Sequence, residues 1–553
     1  MRGGGSSLYG SGALGGVIGI ETMDARDLLR PGETRGGRVR TAWSSNGGVL
    51  TNSLAGYAAE GIFDGVGFIS YRSQGNDLKD GDGDAILNSE TDVLNGMAKF
   101  GVDAGRGLRL SVTGMYYADE GVTPPNANAA ATDTNVVDRD GRVGSVRARV
   151  DYTPEGSDFW DLTATVYFDD VRVEEDRRSD GRFDRSEYRT FGFEAVNRTR
   201  LDLGLPVGLV YGVEAYRDTQ TGLRDGAARP EFPDAGVDFA AAFAEARIEL
   251  TDTLEVTPGL RVDRFALDPD GGDGRTETAV SPRVGVSWRP TPGWQLFGSV
   301  GQAFRAPSLT ELYTDGTHFA IQGFSLGPGA VFSGVNRFIP NPDLKPEKAL
   351  QYEIGARFDR GDVLRRGDRL SFSTNAYYAD VTDYVDQVVS FIDFSTDRFV
   401  PGVGFVVDGS TRTSNVDAEL WGFEAEARYD AGGWFAGLTG AIPRGRRKDG
   451  GALGSIPQDR LVLTGGLRPT QGAEFGLRAT LARGQDDVPA EGEPTPGYVT
   501  LDAFASYTVE RGALAGATFR AGVDNILDST HRIHPNGLNQ PGRTFKISAV
   551  VPF

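Results

Sequence analysis

The sequence predicts an all-β protein, a transmembrane antiparallel β-barrel of about 22 strands. Three observations predict it. Apolar and polar residues alternate with a period of two in segment after segment. The connections between these segments are by turns short and long. The last segment is amphipathic and ends in an aromatic residue, Phe553, which suits closure of a barrel.

Composition narrows the class. Of 553 residues, 77 are glycine, about twice the usual share of about 7%, yet there is no G-X-Y period. Aromatic residues make up 10%, too many for a disordered chain. Net charge is −20, from 57 basic and 77 acidic residues, which argues against nucleic acid as a partner. The absence of cysteine excludes thiol catalysis, zinc–thiolate sites and disulfides. No apolar stretch approaches the roughly 18 residues of a membrane helix. A mean hydropathy of −0.31 is compatible with barrel strands, whose two faces average out.

The chain opens on "RGGGSSLYGSGALGGVIGIET", rich in glycine and serine and ending in a short apolar run, Val17 to Ile20. Met1 is followed by neither a basic n-region nor an apolar h-region, so no secretory signal is read there. Candidate strands follow at 36–47, 50–62, 66–77, 90–104, 108–121, 145–156, 158–180, 186–201, 206–222, 238–252 and 254–268. The second half supplies 277–293, 294–307, 348–360, 369–387, 417–432, 433–448, 455–470, 473–487, 497–510, 517–530 and 544–553.

The pattern is clearest where Trp421, Phe423, Ala425, Ala427 and Tyr429 alternate with Gly422, Glu424, Glu426, Arg428 and Asp430. Tyr352, Ile354, Ala356 and Phe358 alternate likewise with Glu353, Gly355 and Arg357. A second face this charged is wet, so each strand has one apolar and one wet side. Long polar loops fall at 78–89, 122–144, 223–237, 308–347, 388–416 and 531–543, which are external loops opposed to short periplasmic turns. A propeller or solenoid would show a fixed repeat, and none is present.

Parity gives the topology. With the last strand ending in the periplasm, odd strands run outward. The loop at 308–347 follows strand 13 and the loop at 531–543 follows strand 21, so both are external. They hold all three histidines of the chain, His318, His531 and His534.

Other motifs are weaker. Asp80, Asp82 and Asp84 in "DGDGD" resemble the opening of a calcium loop, but Ala85 takes the place of the required glycine and Glu90 stands one position early. A solvated external loop is expected there, with a weak calcium site as the alternative. "DPDGGDG" from Asp268 is similar. "PRGRRK" at 443–448 reads either as a barrel rim touching lipopolysaccharide phosphate or as a solvated turn. No nucleophile elbow, phosphate loop or metal-hydrolase motif is visible, so no catalytic residue is assigned and the chain is not expected to be an enzyme.

Three stretches resemble TonB-dependent outer-membrane receptors of Gram-negative bacteria. The opening glycine-rich run resembles the end of their plug domain, "DARDLLRPGE" the plug-to-barrel connection, and "GVDNILDSTHRIHPNGLNQPGRTFKISAVVPF" the last hairpin of their barrel. The resemblance implies a C-terminal plug remnant at 1–33 and a receptor barrel at 34–553. It also implies energy from a TonB–ExbB–ExbD system in the full-length protein, a monomeric state, and outer-membrane lipid and lipopolysaccharide as surroundings. The signal peptide, the TonB box and most of the plug are missing by this reading. A misplaced gene start is the simplest cause, and a chain of this extent is then expected not to drive uptake.

A narrower resemblance, to the haem and haemoglobin receptor branch, rests on "FRAPSLTELYTDGTHF" and "NPDLKPE". His318 lies between the FRAP box, Phe304 to Pro307, and the NPDL box, Asn341 to Leu344. In that branch the histidine at this place is an axial haem ligand, and neutral imidazole is a common ligand of haem iron. Tyr313, Phe319 and Phe324 are candidates to cover the porphyrin, and His531 and His534 are reserve ligands. The branch's second ligand, normally in the plug, is not located. Haem is then the transported ligand, with no permanent cofactor. A siderophore or cobalamin receptor of the same fold is the alternative. A passive porin-like channel is the alternative of a different class.

Overall fold

The computed structural model describes residues 11–12, 16, 18–124, 132, 136–269, 274–327, 330–489 and 492–553. Strands β1 (Arg35–Ser44), β2 (Leu50–Glu60), β3 (Phe63–Gln74), β4 (Thr91–Gly105), β5 (Leu108–Thr123), β6 (Val137–Tyr152) and β7 (Leu162–Arg177) pair antiparallel, each with the next. The meander continues through β8 (Arg182–Asp202), β9 (Pro206–Arg224), β10 (Ala235–Thr251), β11 (Leu254–Pro269), β12 (Arg275–Trp288) and β13 (Trp294–Arg305). It then runs through β14 (Glu347–Gly361), β15 (Arg369–Ser390), β16 (Gly409–Asp430), β17 (Trp434–Arg447) and β18 (Arg460–Leu467). It ends in β19 (Ala473–Ala482), β20 (Tyr498–Thr508), β21 (Thr518–Asp524) and β22 (Thr544–Pro552). β22 pairs with β1, Val551 opposite Val39, which closes a barrel of 22 strands and leaves the wall no open edge among the described residues.

The two-residue period sorts side chains as expected. On β11, Leu260 and Val262 face outward at 48% and 41% exposure, whereas Arg261 and Asp263 between them point inward and are fully covered. Buried charge needs partners. Arg261 has them in Asp263 and in Glu214 of β9, each at 2.6 Å. Outward aromatic residues gather beside the periplasmic turns. Trp294 lies 5.1 Å from Phe358, and Tyr429 lies 5.2 Å from Trp434, the arrangement of an interfacial girdle.

Strand ends differ from expectation, for identifiable reasons. The sixth strand, expected from 145, begins at Val137, and the sixteenth, expected from 417, begins at Gly409. Both extensions rise on the external side, where both faces are wet and the alternation of hydropathy is lost. Asp138 there pairs with Arg178 at 2.6 Å. The twelfth strand, expected to reach 293, stops at Trp288, just before Pro290 and Pro292, which have no N–H to give a ladder. The twenty-first stops at Asp524 because Asn525 turns out of the strand at φ 50°.

The described parts of the leader touch both ends of the wall. Ser11 Oγ accepts the Ala306 N–H at 3.0 Å, at the external end of β13. At the other end, Asp24 binds Lys99 at 2.5 Å and Arg109 at 3.0 Å, and Arg26 donates to the Gly61 carbonyl.

Candidate functional site

The connection between β13 and β14 is built from its base upward. Arg305 and Glu347 are cross-strand partners at that base. Their pair has two arms, Nε to Oε2 at 2.9 Å and Nη2 to Oε1 at 2.8 Å. The third arm of Arg305 reaches Glu311 at 2.9 Å. Glu311 also closes a capping box with Ser308, which starts the helix Leu309–Tyr313. That helix was not expected, although the S-x-x-E signature of "SLTE" is present in the sequence.

Each box is anchored in the core by one apolar residue, Phe304 in the first and Leu344 in the second, while Pro342 and Asp343 stay exposed. Phe304, Leu309, Leu312 and Leu344 are all 2% exposed or less, and they pack with Phe239, Phe265 and Val385 of the wall. Phe304 stacks on Phe265 with centroids 6.2 Å apart. Each such side chain contributes roughly 1.5–3 kcal/mol by leaving water. Tyr313 packs half-buried against the same cluster, and burial raises its phenol pKa. Arg275 ties down the NPDL box through the carbonyls of Pro342 and Leu344.

Above this base stands a hairpin, Gly316–Gly327 with Ala330–Ile339. Its register shifts between Thr317, opposite Arg337, and Phe319, opposite Asn336. His318 is therefore the extra residue of a β-bulge, a device that re-aims one side chain. The returning strand leans in parallel on the start of β16, Asn336 opposite Gly409 and Phe338 opposite Thr411. Glycine permits this approach. A Cβ on Gly334 would collide with the Val407 carbonyl, and one on Gly409 with the carbonyls of Ser390 and Phe391.

His318 is half-buried in the resulting corner. Its Nδ1 lies 2.8 Å from Thr411 Oγ1. The Thr411 hydroxyl donates to Asn336 Oδ1 at 2.6 Å, and Asn336 Nδ2 donates to the Ser390 carbonyl at 2.9 Å. Phe338 stacks on the imidazole at 4.4 Å, and Phe319 meets it edge-on at 4.8 Å and stacks on Phe391 at 5.5 Å. Burial pushes the imidazole below its ordinary pKa, against the opposing pull of the Asn336 side chain. The ring is neutral at neutral pH, the form that binds a metal. The side chain of Phe324 lies outside the described residues.

The other two histidines have different neighbours. His534 is 7% exposed, its Nδ1 2.9 Å from Thr495 Oγ1, and its backbone N–H reaches Gln458. His531 bonds the Ser529 carbonyl at 2.9 Å and lies 4.3 Å from the Tyr498 ring. The acidic loop is a staple between connections. Asp80 Oδ1 accepts the N–H groups of Asp82 and Asp84, and Oδ2 accepts Asn539 Nδ2 at 2.7 Å. Among the described residues no group of three or more histidine, aspartate or glutamate side chains converges as a metal site. Every cation of "PRGRRK" meets a carboxylate: Arg444 meets Asp459, Arg446 meets Glu419, Arg447 meets Asp386 and Asp449, and Lys448 meets Asp380. Residues 270–273 of the second acidic loop lie outside the described residues.

The model of the TonB dependent receptor-like β-barrel family matches residues 70–526, from within β3 to just past β21. The chain belongs to the TonB-dependent receptor family. The receptor is 31% identical over 559 residues to the "Hemin receptor" of Yersinia enterocolitica, across 99% of this chain and 78% of that protein. It is 24% identical to the "Heme/hemopexin utilization protein C" of Haemophilus influenzae (strain 86-028NP), across 100% of this chain and 82% of that protein. In fold it is similar to the Serratia marcescens hemophore receptor HasR, solved with its hemophore HasA and heme. The TM-score is 0.79 at 21% identity, over 100% of this chain and 85% of that one. The copper transporter OprC has the same fold, with a TM-score of 0.80 at 20% identity, over 100% and 87% of the two chains. The receptor is thus an outer-membrane β-barrel.

Proposed function

We propose that this receptor takes up haem, and that His318 supplies one axial nitrogen to the iron at the external face. The substrate is supported by family membership and by the haem-related names of relatives that align along essentially the whole chain. The residue is supported by one observation. The histidine between the FRAP and NPDL boxes is singled out by a bulge and held half-buried and neutral against Phe338 and Phe319.

The chemistry follows from that arrangement. A neutral imidazole offers a lone pair to iron, and apolar rings beside it cover a flat apolar macrocycle. The base below is clamped by Arg305, Glu347 and the buried cluster, so iron binding does not have to order the connection first. Haem crosses unchanged, so the protein is a transport receptor and no bond of the substrate is broken. Energy for passage comes from the TonB–ExbB–ExbD partners. Haem arrives free or from a haemoprotein, and the receptor acts as a monomer in outer-membrane lipid and lipopolysaccharide.

The test is a haem titration of the receptor in detergent, with His318→Ala beside the parent. The parent should show a shifted Soret band and the variant should lose it, with barrel folding unchanged. An unchanged Soret band in the variant, with equal haem-dependent growth when His318→Ala is carried in the full-length gene, would remove His318 as ligand. A parent that binds ferric siderophore or cobalamin but not haem would overturn the substrate.

A further inference from the structure

We infer that Thr411 and Asn336 are positioning residues that fix the tautomer of His318, placing the ring proton on Nδ1 and the lone pair on Nε2, the atom that then meets iron. The inference rests on the haem reading of His318 given above.

The chain of bonds has one consistent direction. The Ser390 carbonyl can only accept. Asn336 Nδ2 lies 2.9 Å from it, so the amide nitrogen of Asn336 is turned toward Ser390 and its oxygen toward Thr411. That oxygen lies 2.6 Å from Thr411 Oγ1 and can only accept, so the threonine proton is spent there. Thr411 Oγ1 then has only lone pairs to offer His318 Nδ1 at 2.8 Å, and Nδ1 must carry the proton.

Burial makes the alternative costly. Asn336 is 0% exposed and Thr411 is 1% exposed. If the threonine proton turned to His318, the amide oxygen of Asn336 would be left buried without a donor, and buried polar groups are rarely left so. Metal-binding histidines in general donate their second ring N–H to an oxygen, which fixes ring orientation and raises basicity. Here a side-chain relay anchored on a backbone carbonyl does this before any iron arrives. The relay joins four segments: the bulged hairpin strand, its returning partner, the external extension of β16 and the end of β15, which supplies the Ser390 carbonyl.

The direct test uses the fact that the chain has only three histidines. The receptor is labelled with 15N-histidine in detergent, with His531→Gln and His534→Gln to leave one signal. Without haem, His318 should show a protonated Nδ1 and an unprotonated Nε2. In Thr411→Val, which keeps the shape and removes the acceptor, that pattern should be lost. Haem affinity should then fall by about 10- to 100-fold, and Thr411→Ser should restore both. Resonance Raman of the iron–imidazole stretch should shift in Thr411→Val and return in Thr411→Ser.

Failures of the two readings are distinguishable. If His318→Ala keeps the parent's Soret band, the ligand reading falls and this inference falls with it. If His318→Ala loses the band while Thr411→Val keeps parental affinity and stretch frequency, the ligand reading stands and the relay is overturned. A parent with its proton on Nε2 also overturns the relay.

Discussion

Arg305 and Glu347 face each other across β13 and β14 and hold the base of the external connection by two hydrogen bonds of 2.9 and 2.8 Å. Glu347 is 2% exposed, and its Oε1 also accepts the Val385 N–H at 2.8 Å. The pair therefore joins three wall strands beneath the hairpin that carries His318.

Removing one member should cost more than removing both. Arg305→Met leaves the Glu347 carboxylate buried without its cation, at a cost of order 3 kcal/mol. Arg305→Met with Glu347→Gln should recover part of that loss, because a neutral amide is easier to bury. Urea unfolding in detergent, read by the gel mobility of the folded barrel, checks the order of the parent and the two variants. A double variant weaker than Arg305→Met contradicts it.

Gly409→Val should push the returning hairpin strand off β16, because its side chain enters the space of the Ser390 and Phe391 carbonyls. The barrel should still close, since this contact lies on the external extension. Haem affinity should fall as it does in Thr411→Val. Protease sensitivity near 316–339 should rise, which limited proteolysis reads.

The turn between β14 and β15 should have an acid limit. Burial alone would raise the Asp368 pKa, but hydrogen bonds from Tyr429 and the N–H groups of Val363, Leu364 and Arg365 outweigh it and hold it down to about 2. The folded value lies below the ordinary value of about 3.9. Its contribution is therefore complete above about pH 4 and lost as pH falls through about 2. Pepsin should cut near Leu364 as pH approaches 2 and spare the turn at pH 4. Asp368→Asn should already be cut at pH 4, and a variant resistant there would contradict the assignment.

Asp80→Ala should loosen the connection that carries His531 and His534, since it frees Asn539 and the N–H groups of Asp82 and Asp84. Chelation by EDTA should leave the parent unchanged. A chelation effect as large as that of Asp80→Ala would point to a cation in place of these bonds. Hydrogen exchange across 525–543 measures both.

The strand number, the order of the strands, the alternation of short and long connections and the placing of all three histidines at one end of the barrel are legible in the sequence. The physical reason is local. In a strand with lipid on one face and water on the other, each residue declares its side, and a one-residue slip would invert the whole set. The determination weakened where both faces are wet, which is why β6 and β16 begin earlier than their hydropathy suggested. The place of His318 between two boxes and the capping signal at Ser308 are both legible in the sequence. It takes the folded chain to bury Phe304 and Leu344, one anchor from each box, and to bring Thr411, 93 residues away, against His318. The parallel seam between the hairpin and β16, and with it the direction of the proton relay, was equally invisible. Such contacts depend on how loops fold back over a closed barrel, and pairing between distant polar residues leaves no periodic trace in the chain that forms it.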